Sequence, residues 1–300
     1  MGYTLETKNL TKKYGQKTII NAVDIRISPG EIFALVGLNG AGKTTTIKML
    51  LGLINPSYGL IKYMDMNFLT SKQEILPRIG SVLENPGFYD HMTVHQNLKM
   101  IQNVVGIHEH HNIDEVLSII GMDAFKYEKV KNLTKAHRQK LALSRALLNS
   151  PDILILDEPM NGFDPISAKE IRTVLRRLSK EKQVTILISS HVLAEVEKIA
   201  DTIGFMKNGK MVKIIDLKSR RVTNVDRLYL TIDDVTMAKK VLEENDIKYK
   251  YRHSNQIVLK INNEAVDDIL KLMMDNEINV DEMFFKPYGL EEIFLDLMEK

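Results

Sequence analysis

The chain has 300 residues, of which 44% are hydrophobic and 27% charged, a balance typical of a globular protein. It contains no cysteine, which excludes a disulfide framework, a cysteine-ligated metal centre and a thiol nucleophile. Its 41 basic and 39 acidic residues give a net charge of +2, so the total charge alone points to no strongly charged partner.

No run of the sequence reaches the roughly 20 apolar residues that a membrane-spanning helix needs. The N-terminal segment also lacks the charged and then apolar pattern of a secretion signal. We therefore expect any work at a membrane to depend on a separate membrane protein.

Strands and helices alternate in the first part of the chain. Residues 23–27 alternate apolar and polar side chains, as a half-buried strand does, and the apolar run within residues 31–37 predicts a buried strand there. A helix is predicted over 44–51, and residues 86–150 are predicted to be mostly helical. This order favours an α/β fold with a parallel sheet.

The same alternation continues after the helical stretch. Buried strands are predicted at 153–156 and 184–189, on either side of a charged helix over 167–182. Strands that alternate with helices strengthen the prediction of a parallel α/β core.

The charge balance changes near residue 221, at the basic run Lys218–Arg221. Residues 222–300 carry 10 basic and 17 acidic residues, a net charge of −7, whereas residues 1–221 carry +9. Beyond this point the pattern predicts strands at 228–232, 247–251, 257–261 and 283–285, with helices at 235–245, 265–277 and 290–298. A βαββαβ order predicts a small ferredoxin-like α+β domain over 222–300, separate from a domain over 1–221.

A glycine-rich run, Gly37-Leu38-Asn39-Gly40-Ala41-Gly42-Lys43-Thr44, lies between a predicted strand and a predicted helix. This order is typical of a phosphate-binding loop, whose backbone N–H groups and helix end face phosphate oxygens. Lys43 would place a cation at the outer phosphates, and the Thr44 hydroxyl would bind Mg²⁺. The predicted nucleotide-binding residues of this loop are Gly37, Asn39, Gly40, Ala41, Gly42, Lys43, Thr44 and Thr45.

Two carboxylates follow the buried strand at 153–156. A hydrophobic strand that ends in Asp157 would bring a second Mg²⁺ ligand beside the phosphates. Its neighbour Glu158 could then orient or deprotonate the attacking water. In combination with the phosphate-binding loop, this pair predicts nucleotide hydrolysis.

Over residues 3–215 the order of these parts resembles the ATP-binding subunit of an ABC transporter. The resemblance implies a P-loop NTPase core of ABC type with a helical subdomain at about 86–150. It also implies that Tyr14 stacks on adenine, that Asp164 reaches a partner subunit and that His191 contacts the γ-phosphate.

Glu84 stands where most of the family has glutamine. This glutamate resembles the branch that serves lantibiotic immunity and bacitracin export, and the runs Asn85–Tyr89 and Gly289–Phe294 point the same way. The resemblance implies a role for Glu84 in catalysis and at Mg²⁺, and the alternative is that it only caps a loop.

The family's signature segment falls at Leu133–His137. Thr134 keeps the usual hydroxyl, but Lys135 and Ala136 replace two glycines. In the family this segment caps the γ-phosphate bound by the opposite subunit, which implies nucleotide contacts from Thr134 and Ala136. The Cβ of Ala136 lies where the backbone must come close, and glycine is favoured at such points.

The resemblance implies an ATPase that uses ATP and Mg²⁺ to export an amphipathic or antimicrobial peptide, with a phenol-soluble modulin exporter as one candidate. The subunit would dimerise, as a homodimer or heterodimer, and act with a transmembrane permease at the cytoplasmic face of the membrane. The alternative is a weakly hydrolytic regulatory subunit of a heterodimer, because the signature is degenerate. A ribosome- or DNA-acting ATPase fits less well, so no nucleic-acid partner is expected.

Two other clusters of charged or histidine residues give weaker indications of a site. The run His108–His111 has the composition of a metal site but lacks a set of partner ligands. The basic residues between Lys126 and Lys140 are typical of a solvated face, near anionic headgroups or the other subunit's ATP.

Overall fold

The computed structural model describes residues 2–83, 86–105, 113–217, 226–252, 255–260, 266–287 and 289–299. The chain divides into two compact units, Met1–Ser219 and Arg220–Lys300. The predicted boundary at Lys218–Arg221 lies outside the described residues, so the limits 1–221 and 222–300 stay a prediction.

Ten strands lie in the described part of the first unit: β1 Leu5–Tyr14, β2 Lys17–Ile27, β3 Ile32–Val36, β4 Tyr58–Tyr63, β5 Met66–Asn67, β6 Ile79–Val82, β7 Ile153–Leu156, β8 Thr185–Ser190, β9 Thr202–Lys207 and β10 Lys210–Asp216. Its described helices are α1 Lys43–Leu50, α2 Lys72–Ile75, α3 Val94–Val105, α4 Ile113–Ile120, α5 Lys135–Leu147, α6 Pro165–Glu181 and α7 Leu193–Val196. None of the helices in the described ranges is long and apolar enough to cross a membrane.

A six-stranded sheet in the order β10-β9-β3-β8-β7-β6 forms the centre of this unit. Its strands are parallel except for the edge strand β10, which runs antiparallel to β9. Every residue of β3, β7 and β8 is buried, which explains their continuous apolar runs. The carboxyl ends of these three strands meet at one edge, where ligands bind in open α/β sheets.

A second, antiparallel sheet in the order β2-β1-β4-β5 packs its apolar face on the same core. β1 was not predicted, because bulges near Thr7 and Leu10 interrupt the alternation of apolar and polar residues that marks a strand. Asn9 between them has φ 51°, a left-handed conformation that asparagine tolerates. The described part of the stretch from 86 to 150 contains α3, α4 and α5, with two short 3₁₀ turns between α4 and α5, as its helical periodicity predicted.

The second unit has strands β11 Asp226–Ile232, β12 Tyr249–Arg252, β13 Gln256–Lys260 and β14 Val280–Pro287, with helices α8 Val235–Glu244, α9 Val266–Asp275 and α10 Leu290–Glu299. Neighbouring strands are antiparallel, in the order β12-β13-β11-β14. Alternate residues such as Leu228 and Leu230 pack with α8 and α9 in a separate core. The element order agrees with the sequence pattern, and the ferredoxin-like assignment stays a prediction.

Candidate functional site

The glycine-rich loop leaves β3 and enters α1 through backbone conformations that side chains disfavour. A Cβ on Gly37 would lie 2.4 Å from the backbone oxygen of Met206, so the strand end has no room for a side chain. Gly42, which caps α1, has φ 107°, and a Cβ there would lie 2.5 Å from Ile20 Cδ1. The sequence therefore needs glycine at both ends of this loop.

The N-terminus of α1 carries no side-chain cap. The first N–H groups of a helix have no intrahelical partner, and the helix dipole places partial positive charge there. This end opens into a cleft of about 470 Å³, which suits an anion. The cleft is lined by Ile19, Asn39, Gly40, Ala41, Gly42, Lys43, Thr44, Thr45, Glu158, Asn161 and His191.

Lys43 holds its ammonium at the floor of the cleft. The side chain is only 6% exposed, and its Nζ donates to the Gly37 carbonyl oxygen at 2.8 Å. The same Nζ lies 3.4 Å from Glu158 Oε1. A nearly buried cation paired with the Glu158 carboxylate is well placed to meet a phosphate that enters the cleft.

Glu158 reaches the cleft from the end of β7 through a left-handed backbone conformation, with φ 51°. Its Oε2 lies 2.8 Å from His191 Nδ1, and its Oε1 faces Lys43. The carboxylate is thus held between a cation and an imidazole, at the side of the cleft where β8 ends.

Asp157 is 1% exposed and is not among the residues that line the cleft. The Ser189 hydroxyl donates to Asp157 Oδ1 at 2.5 Å and accepts from the Glu158 N–H at 2.9 Å. Gly37, Asp157, Glu158 and His191 therefore meet at the shared edge of three neighbouring strands, because β3, β8 and β7 lie side by side.

The signature segment faces a second cleft, of about 380 Å³, rather than the first. It is lined by Thr134, Lys135, Ala136, His137, Lys140, Gly162, Phe163, Asp164, Ser167 and Glu170. The structure thus brings Thr134, Ala136 and Asp164 together, and it places them apart from the phosphate-binding loop.

Side chains cap both helices that begin at this second cleft. Thr134 Oγ1 accepts from the His137 N–H, and Asp164 accepts from the N–H groups of Ile166 and Ser167. The Ser167 hydroxyl also donates to Asp164, and these hydrogen bonds lower the pKa of that carboxyl below its usual value. The negative charge of Asp164 is therefore stabilised at the start of α6.

The His137 ring packs on Phe125, with ring centroids 4.0 Å apart. Burial lowers the pKa of His137, and the nearby charge of Lys140 lowers it further. Lys140 itself is paired with Glu170 at 2.7 Å.

The ABC transporter family matches residues 20–161 of this chain. The bacitracin transport ATP-binding protein BcrA of Bacillus licheniformis is 37% identical over 300 residues, which cover 99% of the chain and 98% of that protein. The chain belongs to the ABC transporter family. The lantibiotic transport ATP-binding protein SrtF of Streptococcus pyogenes is 39% identical over 208 residues, 69% of the chain and 89% of that protein.

Among solved structures, the ATP-binding cassette MJ0796, a dimer bound to ADP and Pi, is 22% identical with a TM-score of 0.64. The alignment covers 72% of this chain and 100% of that one, and it shows the shared fold. The predicted family, its bacitracin and lantibiotic branch and the ABC-type α/β fold are thereby confirmed. The ABC subunit is an ATPase of the kind that is coupled to transport.

Among the described residues of the ABC subunit, no group of three or more histidine or acidic side chains is arranged to hold a metal ion. Mg²⁺ at a nucleotide needs only one or two protein ligands, since phosphates and waters supply the rest. Thr44 at the cleft and the buried carboxylate of Asp157 fit that requirement. Glu84 and the run His108–His111 lie outside the described residues.

Tyr14 ends β1, is 55% exposed and is not among the residues that line the cleft of the ABC subunit. Lys12 Nζ lies 4.9 Å from the ring centroid, so one face of the ring meets a cation. Ile19 and Asn161 also line the cleft and were not predicted. Two sequence signals could have pointed to them: the strand periodicity around Ile19, and the position of Asn161 three residues after Glu158.

Proposed function

We propose that this ABC subunit hydrolyses ATP, with Mg²⁺, to export an amphipathic or antimicrobial peptide through a separate transmembrane permease. The observation that carries the proposal is the Glu158 carboxylate held between Lys43 and His191 beside the phosphate-binding loop. The names of the relatives, bacitracin transport and lantibiotic transport ATP-binding proteins, support a peptide as cargo.

The nucleotide phosphates would lie on the backbone N–H groups at the start of α1. Lys43 would turn from Glu158 to the outer phosphates, which is a small movement because its Nζ already lies at the cleft floor. Thr44 and Asp157 would hold Mg²⁺, which would neutralise charge on the β- and γ-phosphates.

Glu158 would act as the general base. Water would attack the γ-phosphorus in line, an O–P bond would form as the bond to the bridging oxygen breaks, and the water proton would pass to the Glu158 carboxylate. His191, which touches that carboxylate, would orient it and add a hydrogen bond to the γ-phosphate. Lys43 would stabilise the charge that develops.

Two copies of the subunit, or one copy and a related chain, would act together at the cytoplasmic face of the membrane. The dimer of MJ0796 supports this arrangement. In it, Thr134, Ala136 and Asp164 of the second cleft would face the nucleotide of the other subunit. Tyr14 would offer the free face of its ring to adenine, and Glu84 would sense Mg²⁺ or water.

Substitution Glu158→Gln tests the catalytic assignment. We expect ATP turnover to fall by roughly 10²–10⁴-fold, the usual contribution of a general base, while ATP binding persists. The measurement is phosphate release together with fluorescent ATP binding, and Glu197→Gln, an exposed glutamate after α7, is the matched control. Undiminished turnover in the Glu158→Gln protein would remove Glu158 from the role of base.

A second candidate function is a weakly hydrolytic regulatory subunit of a heterodimer. The observation in its favour is that Thr134 already occupies the His137 N–H, one of the donors at the α5 N-terminus. ATPase activity of the pure subunit, measured alone and with its permease, separates the two candidates. Robust activity alone would contradict the regulatory function.

A further inference from the structure

Ser189, near the end of β8, contacts both acidic residues that follow β7. Its side chain is fully buried. The hydroxyl donates to Asp157 Oδ1 at 2.5 Å and accepts from the Glu158 N–H at 2.9 Å. We propose that Ser189 is a positioning residue for ATP hydrolysis, which fixes the Asp157 carboxylate and the Glu158 backbone in one arrangement.

The direction of each hydrogen bond is determined by chemistry. A serine hydroxyl has one proton to donate, and a backbone N–H can only donate, so the hydroxyl must accept from Glu158 and give its proton to Asp157. One buried hydroxyl thus serves two neighbouring residues with different proposed roles.

The backbone of Glu158 explains why such an anchor is needed. With φ 51°, it lies in the left-handed region, which residues other than glycine, asparagine and aspartate seldom adopt. This conformation turns the side chain toward Lys43 and His191. The N–H bond to Ser189 holds that turn in place.

The register of the sheet places Ser189 there. β7 and β8 are parallel neighbours, with Leu156 opposite Ile188, so the next residues are Asp157 and Ser189. The end of β8 therefore holds Glu158 at two points: Ser189 binds its backbone, and His191 contacts its side chain. The side chain of the neighbouring Ser190 bonds locally instead, to the backbone of Val192.

The inference rests on the proposed hydrolysis, and Ser189→Ala tests it in the full chain. We expect kcat for ATP to fall at least tenfold with KM within threefold of wild type, because the phosphate-binding loop still holds the nucleotide. We also expect half-saturation by Mg²⁺ to need severalfold more metal, because Asp157 loses its orientation. Ser190→Ala is the matched control and should keep kcat within twofold.

Ser189→Cys fills nearly the same volume but is a weak hydrogen-bond donor and acceptor, so it decides the matter if the alanine variant does not fold. Ser189→Thr, which keeps the hydroxyl, should restore kcat to within threefold. A folded Ser189→Cys protein with wild-type kcat and Mg²⁺ dependence would overturn the inference. So would equal losses of kcat and melting temperature in the Ser189 and Ser190 variants.

Glu158→Gln measured beside these variants separates the two proposals. If Glu158→Gln abolishes turnover and the Ser189 variants do not change it, only the role of Ser189 fails. If Glu158→Gln itself turns over normally, the proposed hydrolytic mechanism fails first.

Discussion

Two clefts of the first unit both lie at helix N-termini, yet they differ in whether the backbone N–H groups there are already bonded to a side-chain cap. At the phosphate-binding cleft, the N-cap residue of α1 is Gly42, which offers no side-chain cap. At the signature cleft, the N-cap residues of α5 and α6 are Thr134 and Asp164, whose side chains accept hydrogen bonds from backbone N–H groups of their own helices. The first cleft therefore offers uncapped backbone N–H groups to an anion. In the second cleft, side chains of the same chain already accept hydrogen bonds from some of these N–H groups.

The charged groups beside these helix ends differ in burial. Lys43, Asp157 and Glu158 are largely buried. Lys43 contacts Glu158 and the Gly37 carbonyl, and Ser189 of β8 fixes both Asp157 and Glu158. Lys135 and Asp164 of the second cleft are exposed. A site built on buried strand ends is preorganised before its ligand arrives, and one built on exposed helix ends depends on a partner to complete it.

We expect the largest effect, a loss of ATP affinity at the first cleft, from the substitution Gly42→Ala. Alanine at φ 107° is strained, and its Cβ would meet Ile20, so the loop must move and its N–H groups lose their common direction. We expect ATP affinity to fall by at least tenfold, about 1.4 kcal/mol or more. Titration with fluorescent ATP measures it.

Gly121→Ala is the control for that effect. Gly121 also has a positive φ, 71°, but no atom lies within 4 Å of its Cβ position. It should lose stability, by about 1 kcal/mol, without losing ATP affinity. Equal losses of affinity in both variants would show that general strain, rather than the shape of the loop, explains the result.

The first cleft was largely predictable from the sequence because its parts are local or strongly patterned. The strands β3, β7 and β8 are continuous apolar runs, and the loop between β3 and α1 is one uninterrupted motif. The predicted boundaries of these elements are correct to within two residues. Parallel strands buried on both faces leave such a signal whatever surrounds them.

Other features depend on contacts between distant segments, and no single stretch of sequence carries them. β6 is four residues long and includes Gly80, whose Cβ would lie 2.3 Å from the Ala146 backbone oxygen, so packing against α5 selects that residue. β14 is longer than predicted. Polar residues such as Glu282 pair with β11 through the backbone, so the strand extends beyond its apolar residues. The bonds from Ser189 to Asp157 and Glu158 depend on sheet register, which brings residues more than 30 positions apart together.

A moderate effect is expected at the second cleft from Thr134→Ala. Loss of the cap leaves the His137 N–H without its side-chain acceptor, at a cost of about 1 kcal/mol. In a unit of this size that lowers the melting temperature by roughly 2–4 °C, which calorimetry measures. Thr134→Ser keeps the hydroxyl and should have the melting temperature of the wild type. If both variants melt alike, α5 does not depend on its cap, and the contrast between the two clefts weakens.

The smallest expected effect concerns His137 and pH. Because its pKa is lower in the folded chain than in the unfolded one, the unfolded state binds more protons at mildly acidic pH. The contribution of neutral His137 is complete above the unfolded value near 6.5 and is lost as the pH falls through the folded value. The ring is partly exposed, so solvent screening keeps the change in unfolding free energy small.

Urea unfolding at pH 7.5 and 5.5 checks this sign by comparison with His137→Gln. The wild type should lose more stability than the glutamine variant when the pH falls, since glutamine does not titrate. A wild type that gains stability relative to the variant would mean that His137 is protonated in the folded chain, with its charge stabilised by Glu170 more than burial and Lys140 oppose it. The second cleft would then hold a further cation, and its helix ends would attract an anionic ligand more strongly than their caps suggest.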